Sequence, residues 1–129
     1  KIEQLTTNAE AELCWYFTKT REQFRLGGHL SLITAQDDAP AAVQTRQHTW
    51  EKLSANGRQQ FAWPEPGEPR TDQGYERIDL GTSPPLLTFA ALVLAPDWVD
   101  HLELCGDPQN RHQYWQEPDQ SWRSQAINP

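Results

Sequence analysis

The sequence is poor in basic residues and in long apolar runs, and each scarcity excludes a class of protein. Eleven lysines and arginines oppose 18 acidic residues, which gives a net charge of −7. Phosphate backbones and anionic membrane surfaces attract basic proteins, so we expect neither nucleic acid nor a membrane as a partner. The longest apolar run, residues 86–95, is about half the length that spans a bilayer.

Cysteine is also scarce, and the common catalytic and metal-binding motifs are missing. Cys14 and Cys105 lack the spacing of a disulfide framework, so we expect two buried thiols in a cytoplasmic protein. The sequence has no phosphate loop, nucleophile elbow or paired-cysteine zinc spacing. His101, Glu103 and Cys105 alternate along one predicted strand, but successive members would lie roughly 6–7 Å apart, too wide for one ion. We therefore expect no metal site.

The length of the chain limits it to one domain. With 129 residues it can bury a real core but cannot form two ordinary domains. It begins at Lys1, inside a helix-like segment, without an initiator methionine or a preceding strand. We therefore expect a single domain over residues 1–129, the C-terminal part of a longer polypeptide that lacks its first strands.

Hydrophobic periodicity divides the chain into strands, then helices, then strands again. Alternation over residues 10–18 and 21–34 predicts a hairpin, with a bulge or bend at Gly27 and Gly28. Residues 86–95 are apolar on both faces, which predicts a strand buried from both sides, as at a subunit interface. The other predicted elements are helices at 1–7, 39–53 and 54–61, a loop at 63–85, a turn at 96–97, and strands at 99–105, 111–116 and 121–127. This order predicts a mainly β fold, a small β-barrel with a helical excursion.

The predicted helices carry caps and an inward stripe. Asp37 and Asp38 are placed to cap the first long helix, and Ser54 to cap the next one. Apolar residues at helical spacing predict the buried face, and tryptophans on apolar stripes predict core positions. The expected buried residues are Val43, Trp50 and Leu53 on the helix and Trp15 on the first strand.

The predicted strand over residues 21–34 has one apolar and one polar face. Such a strand can line a barrel with apolar side chains and still present hydrogen-bonding groups to a ligand. The apolar face comprises Phe24, Leu26, Leu30 and Leu32, and the polar face comprises Gln23, Arg25, His29 and Ser31.

Two segments carry a resemblance to a known family: residues 19–28, KTREQFRLGG, and residues 58–67, RQQFAWPEPG. They resemble the FMN-binding branch of the pyridoxamine 5′-phosphate oxidase-like families, and the order of elements is similar over essentially the whole chain. The resemblance implies a split β-barrel that forms a homodimer, with FMN in the cleft between subunits. It implies cofactor-binding roles for Lys1 at the flavin phosphate and, on the partner subunit, for Gln23 against the ring and Arg111 at its pyrimidine edge.

These three residue types suit the parts of a flavin that they would contact. A phosphate attracts a cation such as Lys1. The amide of Gln23 offers both a donor and an acceptor to the alternating ring edge. The guanidinium of Arg111 would stabilise negative charge on the reduced ring. An ordinary solvent-facing role is the alternative for each residue.

Other positions depart from the family where true pyridoxamine 5′-phosphate oxidases hold their substrate. Asp107-Pro108-Gln109 replaces an Arg-x-His motif, and His101-Leu102 stands where a flavin-stacking tryptophan is expected. Arg58 would restore one lost cation for substrate binding, or it lies at the surface. The resemblance therefore leaves two functions open: an FMN-dependent oxidoreductase that acts on a small substrate by hydride transfer to FMN, and a non-catalytic flavin-binding protein of the same fold.

Overall fold

The computed structural model describes residues 2–81 and 83–129, and of Ile2 and Glu3 only the backbone. The chain forms two compact units. We call residues up to Ser31 together with Val93–Pro129 the sheet unit, and Leu32–Leu92 the helical unit. The elements are α1 (Ile2–Thr7), β1 (Glu10–Phe17), β2 (Glu22–Ile33), α2 (Pro40–Lys52), α3 (Ala55–Gln59), a 3₁₀ turn (Gln60–Ala62), β3 (Ala91–Glu103), β4 (Asn110–Gln116) and β5 (Trp122–Ile127).

The strands form one five-stranded sheet in the order β1-β2-β3-β4-β5. The pairs β1–β2, β3–β4 and β4–β5 are antiparallel. The predicted mainly β fold with a helical excursion is therefore confirmed, and four of the strands lie within one residue of their predicted bounds. Among the described residues, no helix is long and apolar enough to cross a membrane.

Gly27 and Gly28 lie inside β2, where the neighbouring strand approaches closely. A Cβ on Gly27 would lie 1.9 Å from Nε1 of Trp98, and one on Gly28 would lie 2.1 Å from the carbonyl oxygen of Ala95. The register between β1 and β2 runs without interruption past both glycines. The pairing with β1 therefore has no bulge at the predicted position, and the glycines make room for β3 instead.

β3 differs most from the sequence prediction. It is one strand of 13 residues, so the turn predicted at residues 96–97 does not form. Leu87 is 85% exposed and Leu92 is 57% exposed. The prediction of a strand over residues 86–95 that is buried on both faces is therefore wrong.

A long-range contact explains this error. The N–H of Phe89 donates to the carbonyl of Leu86 at 2.9 Å, which closes a turn before β3. The guanidinium of Arg46 donates to the carbonyls of both residues. Because these carbonyls are already satisfied, they are withdrawn from strand pairing. An apolar run by itself carries no sign of such a partner.

β1 is an edge strand, and this corrects two further predictions. Its side chains are exposed on both faces, except for Ala11, which is half-buried. Trp15 is 56% exposed, so its predicted core position is wrong. Cys14 on β1 and Cys105 after β3 are free and exposed rather than buried. An edge strand has a neighbour on one side only, which the alternation of apolar residues does not reveal.

Trp50 is the centre of the helical unit, as predicted. It is fully buried, with its ring centroid 5.1 Å from that of Phe89 and 5.9 Å from that of Phe61. Its indole N–H donates to the carbonyl of Ser83 at 3.1 Å, which satisfies the only polar group of the side chain. Leu53 packs against this core, whereas Val43 is 50% exposed and its predicted inward position is wrong.

Only one of the two predicted helix N-caps forms. Ser54 accepts a hydrogen bond from the N–H of Gly57 at 3.1 Å, so the predicted cap of α3 is confirmed. α2 begins after Ala39 without a side-chain cap. The predicted cap fails because Asp37 accepts instead from the N–H and hydroxyl of Thr34, at 2.7 and 2.9 Å.

Candidate functional site

The strand registers divide the side chains of the sheet unit into two faces. Residues paired across antiparallel strands share a face, as do alternate residues along one strand. The guanidinium of Arg25 lies 5.9 Å from the ring of Trp98, which links β2 and β3 on the same face. We call this the polar face; it comprises Glu12, Cys14, Tyr16, Gln23, Arg25, Trp98, Asp100, Arg111 and Gln113.

Gln23 and Arg111, two of the predicted flavin ligands, lie in one cross-strand row. The N–H of Leu104 donates to the carbonyl of Arg21 at 2.9 Å, a register that sets Gln23 opposite Leu102. Leu102 pairs in turn with Arg111. One strand therefore separates the two residues, which puts their backbones about 10 Å apart.

The amide of Gln23 is available to a ligand. The residue is half-buried, and its side chain makes no hydrogen bond with any residue in the ranges 2–81 and 83–129. Both its NH₂ group and its carbonyl oxygen therefore lack a partner within that part of the chain. An amide with both functions open can meet a donor and an acceptor on the same ligand edge.

Arg111 is held by a buried carboxylate. Its Nε lies 3.0 Å from Oδ1 of Asp100 and its Nη2 lies 2.7 Å from Oδ2. Asp100 is only 4% exposed, and Gln113 donates to its Oδ2 at 3.1 Å. The hydrogen bond from Arg111 is the main cause that lowers the pKa of Asp100; burial opposes it, and Gln113 adds to it. The same bond raises the pKa of Arg111, so both groups are charged near neutral pH.

Nη1 of Arg111 remains open to a ligand. No residue among those described accepts a hydrogen bond from it, and the side chain is 29% exposed while that of Asp100 is 5% exposed. The fork of the guanidinium thus has one edge on a buried carboxylate and one nitrogen without an acceptor among the described residues.

A second ion pair lies on the polar face. Nε of Arg25 is 2.7 Å from Oε1 of Glu12, and Nη2 is 3.0 Å from Oε2. Both side chains are more exposed than the Asp100–Arg111 pair, at 41% and 37%. The hydrogen bond that Arg25 donates to Glu12 is the main cause that raises the pKa of Arg25, and Asp100 contributes through its charge.

His101 lies on the opposite face, so it does not replace the expected tryptophan beside Gln23 and Arg111. Its ring stacks on Phe24 with centroids 4.1 Å apart and planes 7° apart. Its Nε2 lies 3.2 Å from Oε2 of Glu22. Among residues 2–81 and 83–129, no group of three or more histidines, cysteines or carboxylates could hold a metal ion.

Arg58, the predicted substrate residue, belongs to the helical unit, and its donors are used internally. Its three nitrogens donate to four backbone carbonyls, those of Trp50, Glu51, Leu80 and Gly81. A cavity of about 410 Å³ adjoins it, lined also by Arg77 and Asp79. Lys1, the predicted phosphate ligand, lies outside the described residues.

Comparison with known proteins gives a family match at the N-terminal end and one over the whole chain. Residues 1–34 match the family profile described as pyridoxamine 5′-phosphate oxidase, FMN-binding domain. Pyridoxine/pyridoxamine 5′-phosphate oxidase 2 of Arabidopsis thaliana is 31% identical over 136 residues, which cover 100% of this chain and 67% of that protein.

Two solved structures share the fold. A pyridoxamine 5′-phosphate oxidase-related, FMN-binding protein from Nostoc punctiforme PCC 73102 matches with a TM-score of 0.90 and 43% identity, over 99% of this chain and 67% of that one. PhzG from Burkholderia lata 383, in complex with tetrahydrophenazine-1-carboxylic acid, matches with a TM-score of 0.73 and 17% identity, over 98% and 62%. At that identity the second match shows the fold alone.

The chain therefore belongs to the pyridoxamine 5′-phosphate oxidase-related, FMN-binding family, and its fold is the family's split barrel. It spans about two thirds of the length of these relatives. The family's cofactor is FMN. The donor set fits this group, because an open amide at Gln23 and an open guanidinium nitrogen at Arg111 suit the alternating edge of the flavin ring.

Sequence reasoning missed Asp100. No role was assigned to Asp100 from the sequence, although this carboxylate holds the predicted flavin arginine. A signal was present: Asp100 is a charged residue inside a predicted strand, one hairpin before Arg111. A buried strand carboxylate needs a cation on a neighbouring strand, and in the hairpin register Arg111 lies diagonally across from Asp100, two residues from its direct partner Gln113.

Proposed function

We propose that this chain binds FMN through the polar face of its sheet unit and acts as an FMN-dependent oxidoreductase on a small molecule. The observation that carries the proposal is the row in which Gln23 and Arg111 lie one strand apart, each with a donor that no described residue uses. Neither residue needs these donors for the fold. Such groups are typical of a ligand site.

The residues of the chain would bind and orient the cofactor. FMN, when bound, accepts a hydride equivalent from a substrate and passes its electrons to an acceptor. The amide of Gln23 would fix the orientation of the ring through one donor and one acceptor. Arg111 would hold positive charge at the pyrimidine edge, where reduction places negative charge. Lys1 stays the proposed ligand of the phosphate.

Pyridoxamine 5′-phosphate is one candidate substrate, because the Arabidopsis relative is named for it. A phosphate substrate needs cations, and four backbone carbonyls already occupy the guanidinium of Arg58. We therefore propose that Arg58 stabilises the helical unit and that the substrate phosphate, if there is one, is bound elsewhere.

A non-catalytic flavin-binding protein is the second candidate function. The segment 107–109 favours it, because Asp-Pro-Gln carries neither the cation nor the imidazole with which true oxidases hold their substrate. In this case the polar face would bind FMN without turnover. The two candidates share the cofactor site and differ only in whether a donor reduces it.

Absorption spectroscopy tests both candidates on the complete natural polypeptide, purified without added cofactor. We expect a flavin band near 450 nm (about the position typical of oxidised flavin) that is retained through gel filtration. The matched control is Gln23→Leu, which should purify with less flavin. Absence of the band, even after soaking with FMN, would show that the site assignment is wrong.

Anaerobic mixing with pyridoxamine 5′-phosphate then separates the candidates. Loss of the band within seconds to minutes would support the oxidoreductase. A band that persists with this and other small amine donors would favour the binding protein.

We further propose a homodimer with FMN at the subunit interface. The face of β1 opposite the polar face exposes a row of apolar side chains, Leu13, Trp15 and Phe17, at 46%, 56% and 39%, so this row supports the dimer and not the position of FMN. Trp15 and Phe17 stack with centroids 5.1 Å apart, and an apolar row of this kind is typical of an interaction surface. Light scattering should give twice the mass of one chain, and Trp15→Glu should halve it. A monomeric wild-type protein would contradict the proposal.

A cytoplasmic location is proposed with it, because Cys14 and Cys105 are exposed and unpaired. Exposed free thiols persist best in a reducing compartment. Alkylation in intact cells, followed by mass spectrometry, should find both as thiols, and oxidised forms would contradict this location.

A further inference from the structure

Asp100 is an uncommon residue for the middle of a strand. It is a carboxylate that is 4% exposed, on a face where a second carboxylate, Glu12, is 37% exposed at its side chain. A buried charge is costly unless it is paired and fully hydrogen-bonded. Here Arg111 and Gln113 supply three bonds to its two oxygens at 3.1 Å or less.

We propose that Asp100 is the positioning residue that orients Arg111 toward FMN. This inference rests on the proposed function, because it concerns the same cofactor site. Two parallel bonds, from Nε and Nη2, fix both the position and the plane of the guanidinium. The one nitrogen without a partner among the described residues, Nη1, then has a defined direction. An arginine held by a single bond would keep rotational freedom and lose it on binding.

The surroundings of Asp100 fix the carboxylate as well. Gln113, its partner in the register between β3 and β4, donates to Oδ2 from the next strand. Arg25 adds a second positive charge that favours the ionised form of Asp100. Asp100 therefore stays ionised and immobile, which a positioning group requires.

A mainly stabilising ion pair would have a different arrangement. Pairs that serve only stability are usually exposed on both sides and contribute little, as expected for Glu12 and Arg25. In the Asp100–Arg111 pair the carboxylate is buried and the cation is the more accessible partner. The pair thus presents a guanidinium to the outside, with its geometry set from within.

The test is a double-mutant cycle on the full chain with FMN as the probe. The variants are Asp100→Asn, Arg111→Lys and the double variant, and the readouts are the dissociation constant of FMN and the absorption band of the bound flavin. We expect D100N to weaken FMN binding about tenfold, because a misplaced guanidinium loses its oriented contact. In the R111K background, D100N should weaken binding by less than about twofold. D100N should also shift the flavin band in the same direction as R111K.

Two further variants keep the test independent of folding. Glu117→Gln removes an exposed carboxylate outside the polar face, which pairs with Arg123 at 3.1 Å, and should leave FMN affinity within about twofold of wild type. Gln113→Leu removes one bond from Asp100 and should weaken FMN binding by about threefold even if D100N folds poorly. Unfolding of the cofactor-free variants, measured in parallel, separates loss of stability from loss of affinity.

The outcomes are distinguishable. If wild type binds FMN, and D100N and Q113L bind it equally well, this inference is wrong and the proposed function stands. If the effects of D100N and R111K multiply, Asp100 does not act through Arg111 and the inference is again overturned. If wild type binds no FMN, the proposed function and this inference fall together.

Discussion

In the sheet unit Arg111 gives two nitrogens to one buried carboxylate, whereas in the helical unit Arg58 gives all three nitrogens to backbone carbonyls. A guanidinium has five N–H donors. Four of these donors of Arg58 form hydrogen bonds with carbonyls of its own unit. The guanidinium thereby links two helices to the loop at Leu80 and Gly81. Arg111 keeps both hydrogens of Nη1 without a partner in the described part of the chain.

This difference shows that residue type alone does not identify a binding arginine. Both arginines were candidate site residues in the sequence, because both occur where the family places polar groups. The two arginines differ in the number of N–H donors that form hydrogen bonds within the folded chain. A site residue must retain a donor after folding, and only a three-dimensional account of its partners shows this.

Removing the core of the helical unit should give the largest effect. Trp50→Ala should lower the free energy of unfolding by about 4 kcal/mol, because it empties a fully buried aromatic site. The indole N–H bond to Ser83 is lost as well. Urea unfolding followed by circular dichroism measures the change. The matched control is Trp122→Ala on β5, which is 44% exposed and should cost less than about 1 kcal/mol. Equal losses would show that the helical unit does not depend on this core.

Arg58→Ala should separate the two uses of arginine. We expect a loss of about 2 kcal/mol of stability, because carbonyls that accepted from a charged donor lose their partner. FMN affinity should stay within about twofold of wild type, since Arg58 has no proposed role at the cofactor. Calorimetry and FMN titration measure the two quantities.

Arg70→Ala is the control for Arg58. Arg70 is an exposed arginine of the same unit whose guanidinium lies 4.9 Å from the ring of Tyr75. Its removal should cost less than about 1 kcal/mol. If Arg58→Ala keeps full stability but abolishes turnover of pyridoxamine 5′-phosphate, Arg58 contacts substrate and the structural reading of it is wrong.

Local pattern predicted the elements of this fold well and their burial poorly. Alternation located β1, β2, β4 and β5, and helical spacing located α2 and its buried residue Trp50. It failed at residues 86–90, because Arg46, which is distant in the sequence, donates hydrogen bonds to two carbonyls of this segment. It also failed for Trp15, because nothing in a strand's own sequence says that it lies at the edge of a sheet.

The candidate site was also predictable only in part, because some of its contacts are between residues on different strands. Resemblance supplied Gln23 and Arg111, and the register shows that they lie in one row. Their roles toward FMN remain predictions. Resemblance did not supply Asp100, which accepts hydrogen bonds from Arg111. A residue that acts through another one leaves no motif of its own, so it emerged only from the hydrogen bonds.

Gln23→Leu should give a smaller effect, limited to the cofactor. Because the amide has no partner among the described residues, its loss should leave stability nearly unchanged. FMN affinity should fall about fivefold, the value of one or two neutral hydrogen bonds. Fluorescence titration measures it. Gln125→Leu, an exposed glutamine on β5 paired with Gln113, is the control and should bind FMN as wild type does. Loss of affinity in both variants would mean that any apolar change on this face disturbs binding.

The smallest effect should be the acid dependence of the Asp100–Arg111 pair. The guanidinium of Arg111 holds the pKa of Asp100 below its ordinary value of 3.8 in the folded protein. The contribution of Asp100 to stability is therefore present above about pH 4 and is lost as pH falls through the folded pKa. Asp37 and Asp119 have lowered pKa values as well, through hydrogen bonds from Thr34 and Ser121. They therefore also contribute to the loss of wild-type stability at low pH.

Comparison with Asp100→Asn isolates this one group. The contributions of Asp37 and Asp119 are present in both proteins and cancel in the difference of their unfolding free energies. That difference should be constant from about pH 7 to pH 5 and should shrink below about pH 4, as wild type loses the charge that the variant never had. Urea titrations over this range measure it. A difference that stays constant down to pH 3 would mean that the carboxylate of Asp100 does not depend on Arg111 for its ionisation. It would also weaken the distinction between Arg111, which is held by a charged group, and Arg58, which is held by carbonyls.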